Sequence, residues 1–492
     1  MLEFAQLPVM RSYIYGEVND LEFKEADIFL NGRKVPVHGS RESAMPFNRI
    51  WPGHQRSWDQ TELAGFVAFS ADEKVEVRVK VTGDWEFEQA VIRPLSRNIV
   101  PQVNGREVTF TLSEPGQYAL ELGTSHQLIN FFFDPPQCAP AEAEVDYYFG
   151  PGIHFPGVIR LQSGDRVYID PGAIVFGSIL GIGVQDVRVF GGGILHGGAE
   201  NRIFCDFMET NLKSTLKFYN SDRIRIKGII VQDSPTWTTS FFGCTDVAID
   251  RLKIIGQWRY NTDGIDLIST RNVRISNSFI RTFDDGIVLG ASDGVDIESI
   301  PDLRRNVCVG DVTVSNCVVW CGWGRSLEVG IVTCTPEYQN ILFENCDLIH
   351  NSASCLDVQN GNYAFVHDVV FRNIRVEYQT ESLPEIVQKN EDMKYDNAGR
   401  MGVPKLINVD NHRYGGQTGR FGVTSDILFE DVQVFAEEGV PERLPVFFGN
   451  FSDDVKVENI TIRNLTVNGK KISSTEAVAL TVIGKVDHVI WE

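Results

Sequence analysis

The stretch NTDGIDLISTRNVRISNSFIRTFDDGIVLG, residues 261–290, sets an acid, a glycine and an apolar run on either side of a piece that alternates polar and apolar residues. The alternating piece, NVRISNSFI, recurs along the chain with the same template. DVRVFGGGI, RIRIKGIIV and DVAIDRLKI precede it, and DVTVSNCVV, NILFENCDL, DVVFRNIRV, DILFEDVQV and NITIRNLTV follow. Each runs polar, apolar, any, apolar, any, and then often Asn or Asp: Asn277, Asn316, Asn345, Asn373, Asp431 and Asn464. Period-2 alternation repeated at this spacing, with almost no helical periodicity between units, predicts a parallel β-helix from about residue 147 onward. Stacked coils lie roughly 4.8 Å apart, so inward Val, Ile and Phe form apolar ladders and turn asparagines can bond along the axis. A doubly wound α/β fold would need amphipathic helices between the strands, and none is found.

Residues 1–135 read differently. GFVAFS, KVEVRVKV, REVTFTL, QYALEL and INFFFD alternate between turn signals such as the NG of FLNGRKVPV, which predicts a small antiparallel β-sandwich. A proline-rich linker is expected over 136–146, and the β-helix over 147–492 as the catalytic domain. Within it, residues 380–425 break the rhythm and are expected to form a long loop beside a site.

At 492 residues the chain is too long for one ordinary core unless that core grows along an axis. No apolar run is long enough to span a bilayer, so no membrane partner is expected. A net charge of −21 repels phosphate backbones, which excludes nucleic acid as the expected partner. The amino terminus MLEFAQLPVMRSYIYG lacks the basic and apolar regions of a secretory signal. That predicts a cytoplasmic protein, or a secreted or periplasmic one if a leader has been removed. Nine cysteines without metal-binding spacing are expected to be reduced core residues.

Asp263 and Asp284 are 21 residues apart, about one coil, and are expected to stack on neighbouring rungs. Two carboxylates that close repel, so one should keep its proton, and a protonated acid beside an ionised base is what glycosidic cleavage requires. Asp285 joins them only if the backbone turns at Gly286, because successive strand residues face opposite ways. Asx-turn caps are the bland alternative, assigned here to Asp266. A Ca²⁺ site of stacked carboxylates is another, but few further oxygen ligands are in sequence reach.

The run from Asp233 to Gly290, with SPTWT, NTDG and DDG in this order and spacing, resembles the family 28 glycoside hydrolases, the polygalacturonases and their relatives. The resemblance extends more loosely over about 147–470, and a sandwich placed before the helix is similar to family 49, which includes dextranases. It implies a right-handed parallel β-helix and inverting hydrolysis without metal or cofactor. Asp284 then matches the general acid, Asp263 and Asp285 the pair that activates water, and Asn261 a residue that orients Asp263 or a substrate hydroxyl.

Two departures from the family pattern bear on substrate. The family's GHG falls on GWGRSL, 322–327, so its histidine becomes Trp323. Arg325 and Glu328 beside it either take over its role, read substrate, or form a pair that only stabilises the cleft. The family's RIK, whose cations hold a uronate carboxylate, falls on LDVQNG, 356–361; the RIK at 225–227 lies on an ordinary coil. Without those cations a neutral sugar is expected, with Trp323 and Trp258 stacking on its ring and Asp357, Gln359 and Asn360 bonding its hydroxyls. Trp237 is assigned a structural role, and Asp410, His412 and Tyr414 a place on the rim. The expected partner is a neutral, α-linked oligosaccharide or polysaccharide such as dextran or pullulan. A uronic-acid polymer read by Arg325, and a non-catalytic carbohydrate-binding β-helix, are the alternatives.

Overall fold

The computed structural model describes residues 3–4, 22–44, 60–199, 215–292, 304, 307–387, 396–414 and 420–492. From Tyr147 onward the chain winds into a parallel β-helix. Its strands fall into a 13-stranded sheet and a branched 21-stranded sheet, both stacked rung on rung in parallel register apart from one terminal antiparallel pair. The interior is one apolar column: Ile224, Val247, Val273, Val312 and Ile341 occupy equivalent positions on successive rungs and are buried.

The six template residues Asn277, Asn316, Asn345, Asn373, Asp431 and Asn464 all adopt left-handed backbone, with φ between 50° and 56°. Asn and Asp tolerate that region because a short polar side chain can bond locally. Their side chains do link rungs: Asn373 Nδ2 donates to Asn345 Oδ1 at 2.5 Å and Asn464 Nδ2 to Asp431 Oδ1 at 2.6 Å. A second left-handed ladder, which the template did not show, runs through Asn272, Asp311, Asn340, Asp368, Asp426 and Asn459. The pairing skips this residue on both strands without a change of register, as where Arg271 pairs with Gly310 and Val273 with Val312.

Before the helix, a five-stranded antiparallel sheet faces a six-stranded one across a core containing Ile28, Val77, Val79, Leu120 and Phe131. The second sheet is not wholly antiparallel, for Thr124–Asp134 pairs in parallel with Thr61–Ser70. A long excursion through the other sheet separates these two strands in sequence, which is what a parallel pairing needs. The last sandwich strand ends at Asp134 and the first rung begins at Tyr147.

The sandwich lies against the outside of the helix. Phe66 and Phe132 pack with Ile174, Ile230, Phe279 and Trp320, and the Phe132 and Phe279 rings stand 5.3 Å apart. Glu42, on His38–Ser43, is buried here. It accepts from Gly256 N at 2.8 Å and Gln257 N at 3.1 Å, and faces Arg281 Nε at 3.4 Å. Arg281 belongs to Phe279–Thr282, the strand that leads into the acid pair, so the sandwich braces the back of that corner.

Two further expectations are corrected. The segment 380–425 is not one loop: Lys405–Asn411 is a full rung between Ser354–Asn360 and Pro445–Asn450, and Pro384–Val387 pairs with Asp396–Met401 as an antiparallel hairpin. Cys138 is exposed and Cys308 half-buried, while the other six described cysteines are buried; Cys205 lies outside the described residues. The stretch ASDGVDIESIPDLRRN, residues 291–306, which lengthens the chain between DDG and GWGRSL relative to the family pattern, also falls mostly outside them. No helix among the described residues is long and apolar enough to cross a membrane.

Candidate functional site

Asp263, Asp284 and Asp285 converge on one cleft, with their nearest carboxylate oxygens all within 4.8 Å of one another. The convergence comes from a corner. Phe279–Thr282 ends just before the acid pair and Ile287–Ala291 begins just after it, so the two acids occupy the bend rather than a straight strand. Ile265 pairs with Ile287, which places Asp263 opposite Asp285 on the next rung, and not opposite Asp284 as the 21-residue spacing suggested. Gly264 N donates to Asp285 O at 2.9 Å in keeping with that register.

The two glycines serve close approach rather than bending. Neither has a left-handed φ. A Cβ on Gly264 would stand 2.4 Å from Gly286 O, and one on Gly286 would stand 2.4 Å from Ser326 O.

Asn261, left-handed at φ 56°, donates Nδ2 to Asp284 Oδ2 at 3.1 Å, and Asp285 N donates to Asp284 Oδ1 at 2.9 Å. Asn261 therefore orients Asp284, not Asp263. On the next rung Arg325 N donates to Asp285 Oδ1 at 2.6 Å, and its guanidinium Nη1 lies 3.1 Å from Asp285 Oδ2. Arg325 Nε also faces Glu328 Oε1 at 3.8 Å.

Burial holds the Asp263 and Asp284 carboxyls well above the usual carboxylate range, and the neighbouring acids push each further the same way. Glu328 is raised for the same first reason, and Asp357 as well. Acids crowded like this titrate as a group, sharing their protons. Asp263 Oδ1, both Glu328 oxygens and Asp357 Oδ1 are buried without a hydrogen-bond partner among the described residues.

Trp237, Trp323, Gln359, Lys405 and Tyr414 complete the walls of a cleft of about 1550 Å³, its open mouth included. Trp323 turns its edge to Tyr260 with ring centroids 6.3 Å apart. Gln359 Nε2 donates to Asp357 Oδ2 at 2.6 Å. Two predicted sugar contacts are corrected. Trp258 is buried, its Nε1 bonded to Asp233 Oδ1 at 2.9 Å and its ring covered by the Arg259 guanidinium at 4.8 Å. Asn360 is fully buried, accepting from Thr333 Oγ1 at 2.7 Å and donating to Ala364 O at 2.8 Å, so it closes a turn. Of the expected rim residues Tyr414 lines the cleft, whereas Asp410 and His412 bond each other at 2.8 Å.

Trp237 lines the cleft rather than the core, and Asp266 caps no turn: it sits inside Ile265–Ile268, fully buried on the cleft side. Lys217, which nothing in its local sequence marked, lies beneath it. Arg225–Lys227, the displaced RIK, is on the strand Asp222–Lys227, with Arg225 paired to Asp246 at 3.0 Å away from the cleft.

Three oxygens this close could hold a cation. Calcium, however, takes six to eight oxygen ligands, and the Arg325 guanidinium already supplies positive charge at Asp285. The donor set suits proton sharing better than metal binding.

Comparison with known proteins follows the same lines. The chain is 24% identical over 298 residues to the "Probable exopolygalacturonase B" of Aspergillus terreus, covering 53% of this chain and 63% of that protein. It is 27% identical over 212 residues to the "Polygalacturonase" of Gossypium barbadense, covering 41% and 46%. The chain thus spans about half to under two thirds of the length of these relatives. In fold it is similar to Dex49A from Penicillium minioluteum, with a TM-score of 0.68 over 99% of this chain and 96% of that one, at 13% identity. That likeness includes the sandwich placed before the helix. The sequence profile described as Glycosyl hydrolases family 28 matches residues 158–430, more than half the chain, and the chain belongs to that family.

Proposed function

We propose that the chain hydrolyses O-glycosidic bonds, with Asp284 as general acid and Asp263 and Asp285 as the carboxylates that activate water. The observation that carries this reading is the convergence of three acids, each at least nine-tenths buried, in one cleft where two are held above the usual carboxylate range. Asp284 keeps a proton to give, and Asn261 aims it. That proton passes to the leaving glycosidic oxygen as its bond to the anomeric carbon breaks. Water adds to the opposite face of that carbon and loses its proton to Asp285, or to Asp263 once Asp263 has itself ionised. Arg325 provides Asp285 with a counter-charge throughout.

Inverting enzymes hold acid and base carboxyl groups roughly 6.5–9.5 Å apart so that water fits between them. The 4.8 Å limit here is between nearest oxygens, which approach more closely than carboxyl centres do. The anomer first released, read by NMR, tests inversion directly.

The substrate that fits is a neutral, α-linked glycan. Acids dominate the cleft floor, and the positions matching the family's cations present Asp357 and Gln359 instead. Glu328 and Asp357 line the cleft and keep oxygens without a hydrogen bond, which suits sugar hydroxyls, and Trp323 and Trp237 offer rings. A second reading, hydrolysis of a uronic-acid polymer, is favoured by the names of the relatives and by Arg325 and Lys405 on the cleft wall. Reducing-end release from dextran, pullulan and polygalacturonate separates the two: release from polygalacturonate alone selects the second. If no substrate in a broad panel is cut and Asp284→Asn changes nothing measurable, the protein is a carbohydrate-binding β-helix instead.

A further inference from the structure

Lys217 is fully buried on the cleft side of Leu216–Tyr219, two rungs from the acid cluster. The register runs Lys217 to Ser240 to Asp266, one residue per rung on the same face. Hydrogen bonds follow it: Lys217 Nζ donates to Ser240 Oγ at 3.1 Å, and Ser240 Oγ donates to Asp266 Oδ2 at 3.2 Å. The rings of Trp237 and Phe242 each lie 5.5 Å from Nζ and keep it from solvent. A lysine without water around it is costly unless its charge is answered. Here the answering charges are Asp266 and, further off, Asp263. Asp266 in turn faces Lys217, Ser240 and Asp285. Asp263 faces Asp266 as well.

We propose that Lys217 is a positioning residue for the acid cluster: through Ser240 it shares charge with Asp266 beside Asp263, and the charge that this pair carries sets the pH range over which the cluster holds its protons. The inference rests on the hydrolase reading for its catalytic consequence but not for its electrostatic one. Burial draws the Lys217 proton affinity down and pushes that of Asp266 up, as expected for a pair that shares its charge inside a dry wall. Lys217 is not among the residues that line the cleft, so its effect on the cluster passes through Asp266 and, further off, Asp263.

The test is the pH profile of kcat/KM for wild type, Lys217→Met and Lys217→Arg. Loss of the cation makes every nearby carboxyl harder to ionise, so Lys217→Met moves both limbs upward by about one pH unit or more, and Lys217→Arg restores them. A uniform fall in kcat with unmoved limbs overturns the proposal, because a merely structural lysine would act that way. If Lys217→Met does not fold, Ser240→Ala breaks the link while keeping both charges. A smaller upward shift then supports the proposal and an unmoved profile overturns it. If wild type cuts no glycan, the hydrolase reading falls, but ¹³C titration of the aspartate carboxyls still decides the electrostatic claim. Carboxyls that titrate at higher pH in Lys217→Met support it, and identical curves overturn it.

Discussion

Asn261 reaches across from one rung to donate Nδ2 to Asp284 Oδ2 on the next, at 3.1 Å, from a left-handed backbone that few residues other than Asn, Asp and Gly adopt. The contact links the NTDG and DDG motifs directly and holds the proposed acid at the corner. Asn261→Ala should lower kcat by about 10- to 100-fold with little change in KM, since the lost interaction orients a catalytic group rather than substrate. Steady-state kinetics check this, and a KM effect alone would assign Asn261 to substrate binding.

Asp284→Asn removes the proton donor while keeping the shape. Turnover should fall by about 10²–10⁴-fold, the usual worth of general acid catalysis, with the fold intact by circular dichroism. Activity equal to wild type would remove Asp284 from the mechanism.

The raised acids also predict a stability signature. Asp263 and Asp284 hold protons in the folded chain at pH values where the unfolded chain has lost them. The folded state thus binds more protons over the window that opens above the ordinary carboxylate value, near pH 4. Their contribution is fully present below that value and is lost as pH rises through the window. Because other acids such as Glu121 are shifted the opposite way, the signature is the difference in Tm between wild type and Asp263→Asn, in which the variant should gain on wild type as pH rises from about 4. Parallel Tm curves for the two proteins would count against the shared-proton cluster.

Gly264→Ala places a methyl group 2.4 Å from the Gly286 carbonyl oxygen, which belongs to backbone and cannot swing aside. Overpacking of this kind costs about 1–3 kcal/mol, and it should separate the rungs that carry Asp263 and Asp285. Denaturant melts and turnover should both suffer; unchanged activity would show that the spacing of these rungs is not critical.

Asp357→Lys introduces a cation where the family carries its uronate-binding pair. If Asp357 helps to select neutral sugars, kcat/KM on them should fall about 10- to 100-fold while polygalacturonate becomes a better substrate, a change worth one charge-assisted hydrogen bond. A parallel loss on both substrates would make Asp357 a purely structural acid.

The chain's own residues determined the rungs, because alternation and a recurring turn asparagine are local properties that each nine-residue unit displays alone. They also marked NTDG and DDG, since acid beside glycine at one-coil spacing survives any small error in alignment. Tertiary structure alone decided which residue stands over which. A one-residue change in register exchanged Asp284 for Asp285 opposite Asp263, and side-chain direction took Trp258 and Asn360 out of the cleft and brought Trp237 into it. Lys217 and Asp266 are 49 residues apart and meet only because parallel stacking superposes equivalent positions, so their pairing is a property of the winding and not of any sequence window.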